Sequence, residues 1–256
     1  MSCADQRPIF FQRQPALPLL VQRFLRMRLE AALENPKDRA LLVWPTVLGA
    51  PKLRQEFPGG LPEQVIISHA AKMLHDLGND DPEASWREGI ARFPDTVEQG
   101  HTGFRPHPDW GSLGPLVSLR SGMALSALTE LSADESYRLK AGPVLFNSAL
   151  YHETHDALEG IWKDAEGSLR NGLQGLILMA AGYHHLQLHN LNGMKAVWEE
   201  CLHRLGDFKG LLDTPWGTVD HRDALEFTKE RMACIDFGAE AFKLLWAIPV
   251  PRWEIS

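Results

Sequence analysis

Over most of this chain the apolar residues recur at helical spacing rather than in alternation, and prolines and glycines cut the pattern into segments. From Pro18 to Leu33, Leu20, Phe24, Met27 and Leu29 mix with Arg and Glu at roughly helical spacing, which predicts a first helix. Asn35-Pro36 ends it, because a residue before proline is pushed out of the α region. Ala40–Leu48 is a continuous apolar run that fits a short strand or a buried helical turn, and Pro45 weakens the strand reading. After the Pro58-Gly-Gly60 break, Pro62 followed by Glu63–Leu77 predicts a helix with proline in its first turn. Gly78–Pro82 closes that helix, and Glu83–Phe93 forms a shorter one.

The stretch Pro94–Pro115 is rich in proline and glycine and is the longest irregular segment, a candidate boundary or functional loop carrying His101, Arg105, His107, Asp109 and Trp110. Leu116–Leu131 resumes the helical pattern. Ser132-Ala-Asp-Glu135 has the spacing of a capping box and predicts a helix running to about Lys140, interrupted by Gly142-Pro143. Beyond that point four helices are expected, at Tyr151–Ala165, Leu169–Leu188, Asn192–Leu205 and Asp220–Trp246. The links Glu166–Ser168 and His189–Leu191 are short, and short links imply antiparallel neighbours. The reading is therefore all-α: an up-and-down antiparallel helical bundle over residues 132–256, preceded by a less regular, mainly helical region over residues 1–131, whose first fifteen residues suit an arm lying on the body.

Composition narrows the function classes. With 256 residues, 44% apolar and 23% charged, the chain is long enough to bury a sizeable core. A formal net charge of −7 and the lack of a basic tract argue against a nucleic-acid partner, since that affinity comes mostly from Lys and Arg on phosphates. No window is apolar enough to span a membrane. Cys3, Cys201 and Cys234 are far apart and form no Cys-x-x-Cys pair, which suits free thiols in a reducing compartment. With no signal-peptide pattern at the N-terminus, the expected location is cytoplasmic.

Candidate chemistry concentrates in Tyr151-His-Glu-Thr-His-Asp-Ala-Leu-Glu-Gly-Ile-Trp162. At about 100° per residue, Glu153, Ala157 and Ile161 share one face, and His155, Leu158 and Trp162 another, with Glu159 one turn beyond His155. Polar groups thus lie among packing residues, and a buried carboxylate needs a partner, a proton or a metal. The next helix offers Gln174, Leu178, Ala181 and His185 along one flank, while His184 lies nearer its apolar stripe and reads as a core histidine. Two readings of the cluster Glu153, His155, Glu159, Trp162, Gln174 and His185 follow. A satisfied hydrogen-bonded network would fix helix register. Alternatively, His155, Glu159 and His185, with Glu153 or His152 assisting, would hold a divalent metal ion, and an open coordination position would allow metal-dependent hydrolysis. No nucleophile elbow or phosphate loop is present, and Cys201 falls on an apolar helix face.

The segment Leu145–Leu205 resembles the helical family known as domain of unknown function 309. The resemblance rests on Leu145-Phe-Asn147, the Tyr151–Trp162 motif, Gln174-Gly-Leu-Ile177, His185, Asn190 and Gly193. Asp156 stands where the family usually has Glu, Leu178 where it has a second Gln, His189 where it has Gly, and Met194 where it has Ala. Pro215–Val219 is similar to the approach to the family's last helix. The resemblance implies an all-α fold with no established activity. A third reading is an interaction module: the Asn190-x-x-Gly193 turn is similar to those joining helix pairs in repeat proteins, so a protein partner or a second copy of the chain is also expected as a possible occupant of an apolar groove.

Overall fold

In the computed structural model, residues 13–92, 96–98, 104–106, 112–134 and 136–256 are described. The described chain is helical apart from two small antiparallel sheets, and its class is all-α. It divides into two compact units, residues 17–130 and residues 1–16 with 131–256.

In the first unit α1 (Leu19–Glu34) ends at Asn35, whose side chain accepts from the Lys37 amide and opens a 3-10 turn, Pro36–Leu42. That turn leads directly into α2 (Val43–Leu48). The Ala40–Leu48 run is thus helical and not a strand, with Pro45 in the first turn of α2, where no intrahelical N–H is missed. Short α3 (Pro51–Glu56) precedes α4 (Glu63–Asp76) and α5 (Pro82–Arg92), and α6 (Gly114–Thr129) closes the unit. Trp44 and Trp86 meet edge to face at 5.0 Å in its core, and the Trp86 indole donates to Glu63. Between α5 and α6, β1 (Thr96–Glu98) and β2 (Phe104–Pro106) form an antiparallel pair. Of the loop residues singled out in the sequence, Arg105 lies on β2; His101, His107, Asp109 and Trp110 lie outside the described residues, as does Glu135 of the expected capping box.

The second unit is built on four consecutive antiparallel helices: α7 (Tyr137–Asn147), α8 (Tyr151–Asp164), α9 (Gly167–Gln187) and α10 (Leu191–Leu205). Two expectations for α7 are corrected. It begins at Tyr137 rather than at Ser132, with the Asp134 carboxylate accepting from the Ser136 amide just before it. It also runs through Gly142-Pro143. There the bare Gly142 backbone lies on Leu158, and a Cβ would come within 2.8 Å of that side chain, so burial against α8 holds the helix across the proline's missing hydrogen bond.

The turns between these helices are close relatives of one another. α7 ends with the Leu150 amide bonded to the Leu145 carbonyl and Ala149 left-handed at φ 56°. α9 ends the same way, with Asn190 N–H on the His185 carbonyl and His189 at φ 57°. Both are Schellman closures, whose left-handed position favours glycine. The imidazole of His189 stacks on Phe242 at 4.1 Å, which offsets the strain a side chain meets there. Helices α9 and α10 approach closely because Gly175 faces Leu205 and Gly182 faces Trp198.

The expected single helix over Asp220–Trp246 is corrected: Asp220 ends a strand, and only then come α11 (Arg222–Cys234), a 3-10 turn (Ile235–Glu240) and α12 (Ala241–Ala247). Before it, β3 (Leu211–Thr214) and β4 (Gly217–Asp220) form a tight hairpin, and β5 (Glu254–Ile255) adds to β4. These strands are too short for an alternating signal, yet Leu212 and Val219 turn inward between more exposed neighbours. The tail before β5 is fixed by aromatic and polar contacts alike. Trp253 stacks on Phe146 at 3.9 Å and 7°, and the Asn147 amide both donates to and accepts from the Trp253 backbone. Buried Arg231 donates to the Ile248 and Pro249 carbonyls, strapping the chain after α12. No helix among the described residues is long and apolar enough to cross a membrane.

Candidate functional site

Helix α8 begins two residues after the left-handed Ala149 and carries its polar groups at once. Buried Gln187 donates from α9 to the Ala149 carbonyl, and Thr154 back-bonds to Leu150, so the first turn of α8 is held from within and from its neighbour. Its other end is closed by Arg170, whose guanidinium donates to the carbonyls of Trp162, Lys163 and Ala165, each at 3.2 Å, and lies 4.1 Å over the Trp162 ring. Trp162 thus serves the α8–α9 turn.

Between these ends, His155, Asp156 and Glu159 bring one ligand atom each within 4.8 Å of one another. Asp156 is the centre of the group and is buried, its side chain 3% exposed. One of its carboxylate oxygens lies 3.2 Å from His155 Nδ1, the other 3.9 Å from His152 Nε2. The two imidazoles and Glu159 are part-exposed, so the group is open to solvent on one side while its carboxylate is not. Glu159 also lies 3.6 Å from the Lys163 ammonium. From α9, the half-buried His184 ring stacks on His152 at 5.1 Å. His152 and His155 therefore flank the buried carboxylate from α8, and His184 from α9 packs on His152 behind them.

The structure brings His155 and Glu159 together. Glu153 is buried on α8, and Gln174 is half-buried on α9. His185 serves the α9–α10 turn: its Nδ1 lies 3.2 Å from the Asn190 amide nitrogen, which donates to it, and burial lowers its pKa. Asn190 in turn caps α10 by accepting from Gly193 N–H, and a Cβ at Gly193 would come within 2.6 Å of that amide. Asp156 and His184 entered the sequence reading only as a departure from a pattern and as a core histidine. Asp156 stands four residues from His152 along α8, a spacing the sequence shows, whereas the stacking of His184 on His152 is a tertiary contact with no signal in the sequence.

What this donor set can do is limited by what surrounds it. Cys201 is buried and burial pushes its thiol well above the ordinary range, so it supplies no nucleophile. Tyr151 and Tyr183 are raised by burial as well and stay neutral phenols. An imidazole with two carboxylates, by contrast, is a donor set that divalent first-row metals take readily.

Residues 139–197 match the family model described as Domain of unknown function (DUF309). No curated protein and no solved structure matches the chain. The DUF309 segment covers most of α7, all of α8 and α9, and the first half of α10. It holds the whole His/Asp/Glu group and the two Schellman turns.

Proposed function

We propose that the DUF309 segment is a metal-binding module in which His155, Asp156 and Glu159 hold a divalent cation. The observation that carries this reading is the gathering of those three ligand atoms within 4.8 Å around a carboxylate that is itself buried. His152, on the far oxygen of Asp156, orients that carboxylate, as outer partners of metal ligands commonly do. Three protein ligands on one side of an ion leave coordination positions for water, the arrangement that metal-assisted hydrolysis requires. The free thiols of Cys201 and Cys234 suit a reducing, cytoplasmic setting for such a site.

The test is direct. Purified without a tag or chelator, the protein is expected to take up one equivalent of Zn2+ or Mn2+ by calorimetric titration. His155→Ala and Glu159→Gln are each expected to weaken that uptake at least tenfold, with little change in melting temperature. Wild-type protein that binds neither ion, or variants that bind as tightly as wild type, would overturn the metal reading. A melting temperature that falls sharply in both variants, without any metal uptake by the parent, would assign the group to helix register instead.

A further inference from the structure

A second feature of the same unit lies on another side of α8. A cleft of about 490 Å3 opens between α7, α8, the start of α9 and the β3–β4 hairpin, lined among others by Arg138, Ile161, Asp164, Glu166, Leu169 and Trp216. That volume falls in the range of small-molecule sites. Its walls are apolar at Ile161 and Leu169, and an indole stands at its mouth. Trp216 is 38% exposed, which is unusual for so large an apolar ring, yet it is firmly placed. It sits in the two-residue connection between Thr214 and Gly217, with its amide donating to Thr214 Oγ1.

The charge in the cleft is equally specific. Arg138, in the first turn of α7, has its Nε shut off from solvent with no hydrogen-bond partner, and among the described residues no carboxylate lies within ion-pair distance of its guanidinium. Gly160 makes room for it: a Cβ there would come within 3.0 Å of Arg138 Nη2. Asp164 and Glu166 line the same cleft but are solvent-exposed. A guanidinium fork in a partly apolar wall matches a single carboxylate, and the two acidic side chains would repel a ligand carrying several negative charges.

We propose that this cleft binds a flat, apolar monocarboxylate, with its carboxylate on the Nη atoms of Arg138 and its ring against Trp216 and Leu169. The site is independent of the cation proposed for His155, Asp156 and Glu159, and the measurement is made in the presence of a chelator so that the two stand or fall separately. The probe is 2-naphthoate, titrated calorimetrically and by saturation-transfer NMR against the full chain, beside its uncharged analogue 2-naphthalenemethanol and inorganic phosphate. Saturable one-to-one binding of 2-naphthoate is expected, at least tenfold tighter than that of the alcohol, with no competition from phosphate. Arg138→Gln is expected to remove that tenfold preference, and Trp216→Ala to weaken both aromatic probes at least threefold. No saturable binding, equal binding of acid and alcohol by wild type, or full retention of binding in the Trp216→Ala variant would overturn the proposal. Because the acid-to-alcohol ratio is read on wild-type protein, it decides the matter even if the Arg138 variant fails to fold.

Discussion

Replacing Gly182 by Ala tests the close approach of α9 and α10 at Trp198. On an isolated helix the change would be favourable by about 1 kcal/mol, since alanine is the better helix former. In this protein the added Cβ would lie 2.0 Å from Trp198 Nε1 and 2.2 Å from its Cδ1. Trp198 is fully buried, and its indole N–H donates to the Met179 carbonyl at 3.2 Å. The ring must therefore move by more than an ångström from a fully buried position, with a hydrogen bond to lose. Overpacking of a filled core costs about 1–3 kcal/mol, and a buried indole N–H left without its acceptor about 1–3 kcal/mol more. Set against the gain in helix propensity, the net expectation is a destabilisation of about 2–4 kcal/mol. For a chain of this length each kcal/mol corresponds to roughly 2–4 °C, so the melting temperature should fall by about 5–15 °C. Thermal unfolding followed by circular dichroism reads this. The control is Gly206→Ala, at a residue with helical φ −55° and nothing within 4 Å of the new methyl, expected to leave the melting temperature unchanged or slightly raised. A Gly182→Ala protein as stable as wild type would show that the two helices are not held at this separation by bare backbone.

Two further perturbations probe the parts that frame the bundle. Asn147→Ala removes both hydrogen bonds to the Trp253 backbone and should cost about 1–3 kcal/mol while raising amide exchange in the last residues of the chain; unchanged exchange there would refute the clamp. His221 is fully buried, its Nδ1 hydrogen donates to the Val219 carbonyl, and burial pushes its pKa down to about 4. The folded state thus binds fewer protons than the unfolded one. Its contribution is fully present above the unfolded value near 6.5 and is lost as pH falls toward 4, roughly 3 kcal/mol over that window. His221→Gln should flatten the fall in urea-unfolding stability between pH 7 and pH 4.5, and an identical slope in variant and wild type would refute this assignment.

The bundle was legible in the sequence because its signals are local. A period of 3.6 over four turns, a short polar link and the Asn190-x-x-Gly193 cap each act within a few residues, and helices α8, α9 and α10 fall within a residue or two of their expected ends. The misreadings occurred where tertiary contact decides. Gly142-Pro143 reads as a stop, but Leu158 from the next helix holds that stretch helical. Residues 211–220 contain too few positions to show alternation, and β5, which completes their sheet, lies more than thirty residues further on. His189 reads as a departure from a glycine and proves to occupy the left-handed position a glycine would favour, held by Phe242 from α12. For the candidate site, the i and i+4 pair His155 and Glu159 was visible in the sequence. The centrality of Asp156 was not, because burial of one carboxylate among several is fixed by what lies across the hairpin.

The motif residues separate into two sets by what they touch. Asn147, Trp162, Gly175, His185, Asn190 and Gly193 each support the scaffold, by holding the tail, receiving the Arg170 cap, admitting Leu205, or closing the α9–α10 turn. His155, Asp156 and Glu159 instead bring their ligand atoms near one another, on a part-exposed face between two turns already closed by other residues. On the metal reading proposed above, this second set serves the cation while the scaffold set fixes helix register. The two sets should therefore respond differently to substitution: Asn147→Ala lowers stability and spares metal uptake, whereas Glu159→Gln spares stability and lowers metal uptake. If both variants lose stability alike and neither changes metal binding, the division fails, and the His/Asp/Glu group belongs with the scaffold.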